Sequence, residues 1–288
     1  MGIVIIPTSK VKHLIGILAK KFKILFPGLN KNGKGYFPNG EVYVKIPKIE
    51  RIKNKRVIVL HSGAPEPNEG LIELELILQI LKDNKIKPEV FFTYFPYGMQ
   101  DKVFEKGETN VAENLIEKLV NFYKVRKIYT IDAHFGGRKW VKKYPIINIS
   151  AVPILIEAAK KDFAGEDILF LSPDIGGERR TKILGMKKKR INSYRVKIIS
   201  QKLNLKGEIV AVIDDIIKTG GTLLKFYEII KKSGAKKIIA LVTHGVIPSG
   251  VSKIKKKFDK LYLTNSINQS GTQIDVSKLI LKVISKYD

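Results

Sequence analysis

The residues whose types and spacing most clearly suggest chemistry lie between positions 208 and 222. A run of apolar residues, Ile209 to Ile213, is followed by Asp214 and Asp215, and then by the loop Lys218-Thr219-Gly220-Gly221-Thr222. Residues with helical periodicity come next. A strand that leads into carboxylates, a loop and a helix places these polar groups at the carboxyl end of a parallel strand, where open α/β sheets bind ligands.

The loop over residues 218–222 favours a phosphate monoester as its ligand. Its two glycines let backbone N–H groups approach an anion, its two threonines add hydroxyl donors, and the helix N-terminus adds its dipole. Carboxylates on the same turn would repel a phosphate, so we expect Asp214 and Asp215 to bind sugar hydroxyls or a hard cation such as Mg²⁺. A chance Gly-Gly pair in an ordinary connection is the alternative, but the full pattern is far more restrictive.

Short apolar runs of strand type alternate with segments of helical periodicity along the chain. This alternation predicts parallel sheets flanked by helices. Residues 69–82 place leucines on one helical face, and residues 111–123 show the same spacing. The predicted strands are Val42–Ile46, Arg56–Leu60, Val90–Tyr94, Lys127–Ile131, Ile168–Leu171, Ile209–Ile213, Lys237–Val242 and Leu261–Leu263, and further helices are predicted over Thr222–Lys232 and Val276–Lys286.

The alternating pattern pauses around residues 144–153, and each half of the chain has its own strands and helices. At about 150 residues per domain, a chain of 288 residues suggests two domains. We therefore place an N-terminal domain over residues 1–147 and a C-terminal domain over residues 148–275. The helical segment over residues 276–288 is available to pack on the first domain.

The composition excludes several classes of protein. With 44% hydrophobic and 28% charged residues, the chain is globular rather than disordered. The lack of cysteine excludes disulfides, thiolate catalysis and cysteine metal sites. Apolar runs are strand-sized, far short of the roughly 20 residues that cross a bilayer. The segment from Met1 to Pro7 resembles a first strand rather than a leader, so we expect a cytoplasmic protein.

The formal net charge of +26 raises nucleic acid as a partner, because a basic surface releases counterions from phosphates. The lysine clusters are spread along the whole chain, mostly at the ends of predicted helices, which indicates a solvated surface. Aromatic or Cys/His nucleic-acid motifs are absent from the sequence. We therefore expect phosphorylated metabolites as ligands, with no specific nucleic acid and no membrane.

Residues 213–222 resemble the 5-phosphoribosyl-binding fingerprint of the phosphoribosyltransferase fold. Further segments resemble, in order and spacing, the ribose-phosphate diphosphokinase family and its archaeal members in particular. They are Phe37–Val42, Tyr94–Lys102, Thr130–His134, Ser172–Gly177, Thr243–Gly245 and Ser249-Gly250. This resemblance covers nearly the whole chain. It implies an α/β fold of two tandem phosphoribosyltransferase-like domains, each a mostly parallel sheet flanked by helices.

The resemblance implies a Mg²⁺-dependent transferase of nucleotide biosynthesis. Members of the family transfer the diphosphoryl group of ATP to the 1-hydroxyl of ribose 5-phosphate, which gives 5-phosphoribosyl 1-pyrophosphate and AMP. The residues implied to bind ribose 5-phosphate are Asp214, Asp215, Lys218, Thr219, Gly220, Gly221 and Thr222. The implied metal ligands are His134, Asp174, Asp214 and Asp215.

Two further groups of residues follow from the resemblance. ATP contacts are implied for Phe37, Asn39, Glu41, Gln100, Asp101 and His134. The first three would reach ATP in a neighbouring subunit, so a homo-oligomer is implied. The basic segment 186–191 aligns with a catalytic loop, in which Lys188 and Arg190 would stabilise charge on the transferred group. Lys187 and Lys189 remain alternatives to Lys188.

Three features depart from the family pattern. Met99 replaces the usual arginine before Gln100, Asn39 replaces the usual aspartate, and the segment 174–190 is several residues shorter. Loss of the arginine removes a fixed cation with up to five N–H donors, and Lys102 and Lys106 are candidates to replace it. The alternatives are therefore a non-catalytic or regulatory paralogue that binds phosphoribosyl compounds, and a phosphoribosyltransferase that uses phosphoribosyl pyrophosphate rather than making it.

Overall fold

The computed structural model of the chain describes residues 2–173, 188–190, 196–198 and 204–286. Contacts between residues divide the chain into two compact units, and each is described by itself. The first unit comprises Met1–Ile149, Ser266–Asn268 and Val276–Asp288, and the second comprises Ser150–Asn265 and Gln269–Asp275. Among the described residues, no helix combines the length and the apolar character that crossing a bilayer requires.

The first unit is built on a six-stranded parallel sheet with strand order β2-β1-β3-β4-β5-β6. Strands β1 and β3 are buried along their whole length, as expected for a parallel sheet covered on both faces. The strands are β1 (Ile3–Pro7), β2 (Lys23–Ile24), β3 (Arg56–Ser62), β4 (Glu89–Tyr94), β5 (Lys127–Ile131) and β6 (Ile146–Ile149), and the helices are α1 (Ile15–Leu18), α2 (Pro67–Asp83) and α3 (Val111–Glu117).

The second unit contains a four-stranded parallel sheet with strand order β12-β11-β10-β7. A separate antiparallel pair is formed by β8 (Lys188–Arg190) and β9 (Val196–Ile198). The sheet strands are β7 (Ile168–Leu171), β10 (Ile209–Ile217), β11 (Lys237–Gly245) and β12 (Lys260–Leu263), and the helices are α4 (Val152–Asp162), α5 (Gly221–Lys232) and α6 (Pro248–Lys257). The last helix, α7 (Ser277–Lys286), belongs to the first unit.

Alternating side chains of β10 build the two cores of the second unit. Val210 and Val212 pack with buried residues of α5 and α6 on one face of the sheet. Ala211 and Ile213 pack with buried residues of α4 on the other face. Because successive residues of a strand point to opposite faces, the apolar run of β10 serves both cores at once.

The structure confirms the predicted α/β class and every predicted strand except Val42–Ile46. In that segment Val42 and Lys45 form only isolated bridges to earlier residues. Ile46 is buried in the core of the first unit, and Val44 packs partly against it. One side of this irregular segment packs on the core, which explains its alternating pattern. The segment does not join the sheet as a strand.

The stretch over residues 144–153, where the alternating pattern pauses, contains β6 and the start of α4, two elements that the sequence did not predict. Pro153 stands in the first turn of α4, where the missing N–H costs little. Two prolines near a short strand thus resembled a break in the pattern. The helix predicted over residues 111–123 is α3 followed by a π-helical turn, Lys118–Phe122.

A buried ion pair joins the amino ends of β3 and β4. Arg56 donates from Nε to Glu89 Oε1 at 3.1 Å and from Nη2 to Glu89 Oε2 at 2.8 Å. Its Nη1 donates to the carbonyl oxygen of Ile284 on α7 at 3.0 Å. Burial and the Glu89 charge raise the pKa of Tyr129, so its phenol stays protonated and donates to Glu89. The cluster therefore ties α7 to three strands of the sheet.

We expect Glu89→Ala to lower the free energy of unfolding of the first unit by about 3–5 kcal/mol, because it leaves the Arg56 guanidinium buried without its carboxylate. Urea unfolding followed through Trp140, the single tryptophan of the chain, measures this. Glu50→Ala is the matched control, since Glu50 is exposed and its partner Arg51 lies 3.9 Å away. It should change stability by less than about 0.5 kcal/mol. Equal stability of both variants would contradict this role of the ion pair.

Candidate active site

Asp214 and Asp215 lie inside β10 rather than after it. The strand was predicted to end at Ile213, but its parallel pairing with β11 continues to Ile217 opposite Gly245. Asp214 and Asp215 are therefore neighbouring residues near the carboxyl end of one strand of the parallel sheet. Asp214 is half-buried, whereas Asp215 is only 8% exposed. The backbone N–H of Asp215 donates to Asp214 Oδ1 at 3.0 Å.

The loop that follows β10 joins the strand directly to α5. Lys218 and Thr219 are exposed, Gly220 is buried with φ of 81°, and α5 begins at Gly221. A left-handed backbone at residue 220 favours glycine. This turn places Thr222 in the first turn of the helix, next to backbone N–H groups that no intrahelical carbonyl accepts. The five residues predicted to bind a phosphate therefore lie together at one helix N-terminus.

Helix α6 supports this loop through its backbone. A Cβ atom added at Gly250 would lie 1.8 Å from the carbonyl oxygen of Lys218. Only glycine permits such an approach, because real side chains never come that close to a backbone oxygen. Ile254 of α6 also lies against the loop, 3.1 Å from the position of a Cβ at Gly220. The packing of α6 thus sets the path of the loop.

In the first unit, predicted site residues follow the adjacent strands β4 and β5. Gln100 is exposed, and His134 is half-buried at the start of a 3₁₀ helix, His134–Gly137. Asp101 is buried and accepts from Arg138, with Nε to Oδ2 at 2.7 Å and Nη2 to Oδ1 at 2.9 Å. Trp140 donates from Nε1 to the Asp101 carbonyl at 3.2 Å. The carboxyl edges of β4 and β5 are therefore joined by an ion pair that the sequence did not suggest.

Arg138 was not among the predicted site residues. It stands well after the end of β5, on a segment that carries no recognised motif. Residues that follow neighbouring parallel strands lie at the same edge of a sheet, and β4 and β5 are neighbours. This rule could have identified Arg138 from the sequence. Applying that rule to every charged residue after a predicted strand would have included Arg138.

A buried histidine lies near the carboxyl end of β3. The Oγ1 atom of Thr8 lies 3.1 Å from His61 Nδ1, and the His61 ring meets Phe92 edge-on at 5.7 Å between centroids. Burial, assisted by the charge of Lys10, lowers the pKa of His61 to about 3. His61 is therefore neutral at physiological pH and is a packing residue of the sheet.

Phe37, Asn39 and Glu41 lie together on an exposed turn of the first unit. The N–H of Phe37 donates to the carbonyl of Glu41 at 2.7 Å, and the N–H of Glu41 donates to Asn39 Oδ1 at 3.3 Å. The Phe37 ring packs edge-on against Tyr43 at 5.6 Å between centroids. The hydrogen bonds of the turn join residues within the segment, and Phe37, Asn39 and Glu41 are all exposed.

The remaining predicted residues fall at or beyond the limits of the described structure. Asp174 lies outside the described residues, and Lys188 and Arg190 are described by their backbone in β8. Within the described ranges, no group of three or more His, Cys, Asp and Glu side chains could hold a metal. Asp214 and Asp215 supply carboxylate oxygens, which are the donors that Mg²⁺ prefers. Their chemistry therefore fits the implied cation.

Two family models match the chain, and together they define its class. The model described as the N-terminal domain of ribose phosphate pyrophosphokinase matches residues 4–122, and the model described as phosphoribosyl transferase domain matches residues 172–275. The solved phosphoribosylpyrophosphate synthetase from Mycobacterium smegmatis has the same fold, with a TM-score of 0.82 over 100% of this chain and 99% of that chain at 19% identity. The predicted fold of two phosphoribosyltransferase-like domains is confirmed.

Curated relatives identify the family within this class. The ribose-phosphate pyrophosphokinase of Pyrococcus furiosus is 32% identical over 96% of this chain and 98% of its own length. That of Pyrococcus abyssi is 30% identical over 99% of this chain and 100% of its own length. The chain belongs to the ribose-phosphate pyrophosphokinase family and is an enzyme of that kind. The resemblance seen in its motifs is thereby confirmed.

We expect Gly250→Ala to disrupt the loop over residues 218–222, because the added Cβ cannot occupy a point 1.8 Å from the Lys218 oxygen. Overpacking of this kind costs about 1–3 kcal/mol of stability. Calorimetric titration with inorganic phosphate should show affinity reduced about tenfold or more, since about 1.4 kcal/mol of lost loop geometry is a factor of ten.

Gly16→Ala on α1 is the control for this substitution, because a Cβ there would meet nothing within 4 Å. It should leave phosphate affinity as it is in the wild type and should not lower the unfolding midpoint, since alanine is favoured over glycine in a helix. Wild-type phosphate affinity in Gly250→Ala would show that α6 does not set the path of the loop.

Proposed function

We propose that this protein transfers the diphosphoryl group of ATP to the 1-hydroxyl of ribose 5-phosphate, with Mg²⁺, and forms 5-phosphoribosyl 1-pyrophosphate and AMP. The observation that carries the proposal is the loop over residues 218–222. It stands between two strand carboxylates and a helix N-terminus, in a chain that matches its family over nearly the whole length. Both substrates and the cation follow from this family membership and from the chemistry of the site.

The second unit would bind ribose 5-phosphate. Backbone N–H groups of the loop and the Thr219 and Thr222 hydroxyls would donate to the 5-phosphate. Asp214 is half-buried at the same edge and carries oxygens suited to the ribose hydroxyls and to a cation. Asp215, the next residue of β10, is buried, and its carboxylate would be a second ligand for the hydroxyls or the cation. With these roles, residues 148–275 would form the ribose 5-phosphate domain.

The first unit would bind ATP, with residues 1–147 as the ATP-contacting domain. Gln100 and His134 stand at the carboxyl edge of its sheet and would contact the nucleotide. The exposed turn with Phe37, Asn39 and Glu41 would reach ATP in a neighbouring subunit. Large apolar side chains on the same segment, Phe26, Leu29 and Tyr36, are exposed and suit a subunit interface. This supports a homo-oligomer.

In the transfer, the 1-hydroxyl oxygen of the sugar forms a bond to the β-phosphorus of ATP. The bond from that phosphorus to the oxygen bridging the α- and β-phosphates breaks, AMP departs with that oxygen, and the hydroxyl proton is released. Lys188 and Arg190 would stabilise the charge on the transferred group. Mg²⁺ held by the carboxylates of Asp214 and Asp215 would neutralise part of the phosphate charge, and His134 and Asp174 stay predicted ligands of a cation.

A non-catalytic or regulatory paralogue is the second candidate. The neutral Met99, where the family carries an arginine, and Asn39, where it carries an aspartate, favour it. Such a protein would keep the phosphate loop and bind phosphoribosyl compounds without turning over ATP.

Incubation of the pure protein with ATP, ribose 5-phosphate and Mg²⁺ tests the proposal. We expect AMP and 5-phosphoribosyl 1-pyrophosphate in equal amounts, and no product when the cation is removed with a chelator. Binding of ribose 5-phosphate without AMP formation, across several nucleotides and cations, would identify the paralogue instead. Consumption of added 5-phosphoribosyl 1-pyrophosphate with a nucleobase would identify a phosphoribosyltransferase.

We expect Lys188→Ala and Arg190→Ala each to lower kcat by about 100-fold or more with little change in KM, because a cation that stabilises transferred charge acts mainly in the transition state. Steady-state kinetics with both substrates measure this. Lys255→Ala, an exposed residue of α6, removes the same charge elsewhere and should keep wild-type kcat. Lys187→Ala and Lys189→Ala decide which lysine is catalytic. Unchanged kcat in both primary variants would remove this segment from the mechanism.

A further inference from the structure

The ion pair between Asp101 and Arg138 has an unusual distribution of exposure. Its carboxylate side chain is 3% exposed, whereas the side chain of Arg138 is 37% exposed. The pair lies beyond the carboxyl ends of β4 and β5, which are neighbouring parallel strands. That edge is where open α/β sheets bind their ligands. A buried carboxylate therefore holds a guanidinium whose outer part faces the solvent at a ligand-binding edge.

Arg138 has donors left for a ligand. A guanidinium carries five N–H donors, and the two bonds to Asp101 use one at Nε and one at Nη2. Within the part of the chain that the structure describes, Arg138 has no other side-chain acceptor than Asp101. Three N–H groups thus remain in the plane that the carboxylate fixes, a geometry that suits a phosphate.

The segment that carries Arg138 is held rigidly. Phe135 packs on Phe95, with 4.9 Å between centroids, and on Trp140, with 5.1 Å between centroids. Trp140 in turn donates to the Asp101 carbonyl. Aromatic contacts and hydrogen bonds therefore join the loop after β4 to the segment after β5. The guanidinium is preorganised, so little rotamer entropy would be lost on binding.

We propose that Arg138 binds the phosphate chain of the nucleotide in the first unit and that Asp101 is the positioning residue that aims it. The proposal rests on ATP being a substrate of this protein. Met99 carries no charge in the adjacent turn, and Lys102 lies over the Phe104 ring, with 4.5 Å between Nζ and the ring centroid. At this edge, Arg138 is fixed by two hydrogen bonds to the buried Asp101 carboxylate. The charges of Arg138 and Asp101 cancel, so the pair would attract phosphate little by net charge. It would bind phosphate through the directed N–H donors of the guanidinium.

The fluorescence of Trp140 gives a direct readout of this edge, because it is the single tryptophan of the chain and contacts Asp101. Full-length protein is titrated with a non-hydrolysable ATP analogue in Mg²⁺, and separately with adenosine. In the wild type we expect the analogue to bind more tightly than adenosine. We expect Arg138→Gln to weaken analogue binding at least tenfold and to leave adenosine binding unchanged, since charge-assisted bonds to phosphate are lost and the nucleoside contacts remain.

Arg126→Gln is the matched control, because Arg126 precedes β5 at the opposite end of the same strand and is half-exposed. It removes the same charge and should bind the analogue as the wild type does. Asp101→Asn keeps the guanidinium but loses its bidentate partner, and we expect an intermediate loss of analogue affinity. Arg138→Lys should recover only part of the binding, because an ammonium cannot reproduce the planar fork.

The outcomes separate this inference from the proposed function. Analogue binding by Arg138→Gln equal to the wild type would overturn the role of Arg138, even in an enzyme that makes AMP. Equal losses for the analogue and adenosine would also overturn it, since they indicate a structural role. If Arg138→Gln weakens only analogue binding and the wild type forms no AMP, the phosphate-binding role of Arg138 is supported. That result contradicts only the proposed transfer reaction.

Discussion

Parallel pairing between β10 and β11 runs without a shift in register from Ile209 to Ile217. The positions of Asp214, Asp215 and the loop over residues 218–222 depend on this pairing. Because the ladder continues past the carboxylates, the loop begins only at Lys218. The same ladder sets the position from which α6 brings the backbone of Gly250 against that loop. The backbone of the loop is therefore fixed by packing, which would lower the entropy cost of binding the phosphate proposed as its ligand.

The sequence was sufficient to predict β3, β4, β5, β10 and β11 because each contains a short apolar run that is almost entirely buried. It did not reveal where the ladder of β10 ends, since carboxylates inside a strand look like the start of a loop. Whether Asp214 is inside or outside the ladder depends on whether β11 is there to pair with it, and pairing is a tertiary property. The same limit applies to β6, whose neighbouring prolines resembled a break.

Two bidentate Arg–carboxylate pairs stand at opposite edges of the first unit's sheet, and their exposure separates their roles. Arg56 is buried together with Glu89, and it also donates to the Tyr129 hydroxyl and to a backbone carbonyl of α7. Arg138 has a buried partner but an exposed outer part. The first pair is satisfied internally and so serves structure, whereas the exposed donors of the second support the ligand role proposed for Arg138. The partners of each pair are far apart in the sequence, so a search for short motifs does not detect either pair.

The net charge of +26 affects anions in a different way from these ion pairs. Many lysines cover aromatic surface, as Lys82 does at 3.4 Å from the Phe122 ring centroid and Lys257 at 4.9 Å from that of Tyr227. Mobile ammonium groups raise the local concentration of anions through the long-range field but do not orient them. Orientation requires donors with fixed directions. In the second unit the proposed donors are backbone N–H groups of the loop over residues 218–222. In the first unit the proposed donor is the Arg138 guanidinium, whose charge is already balanced by a buried carboxylate. Attraction and alignment of phosphates are thus assigned to different groups of the same molecule.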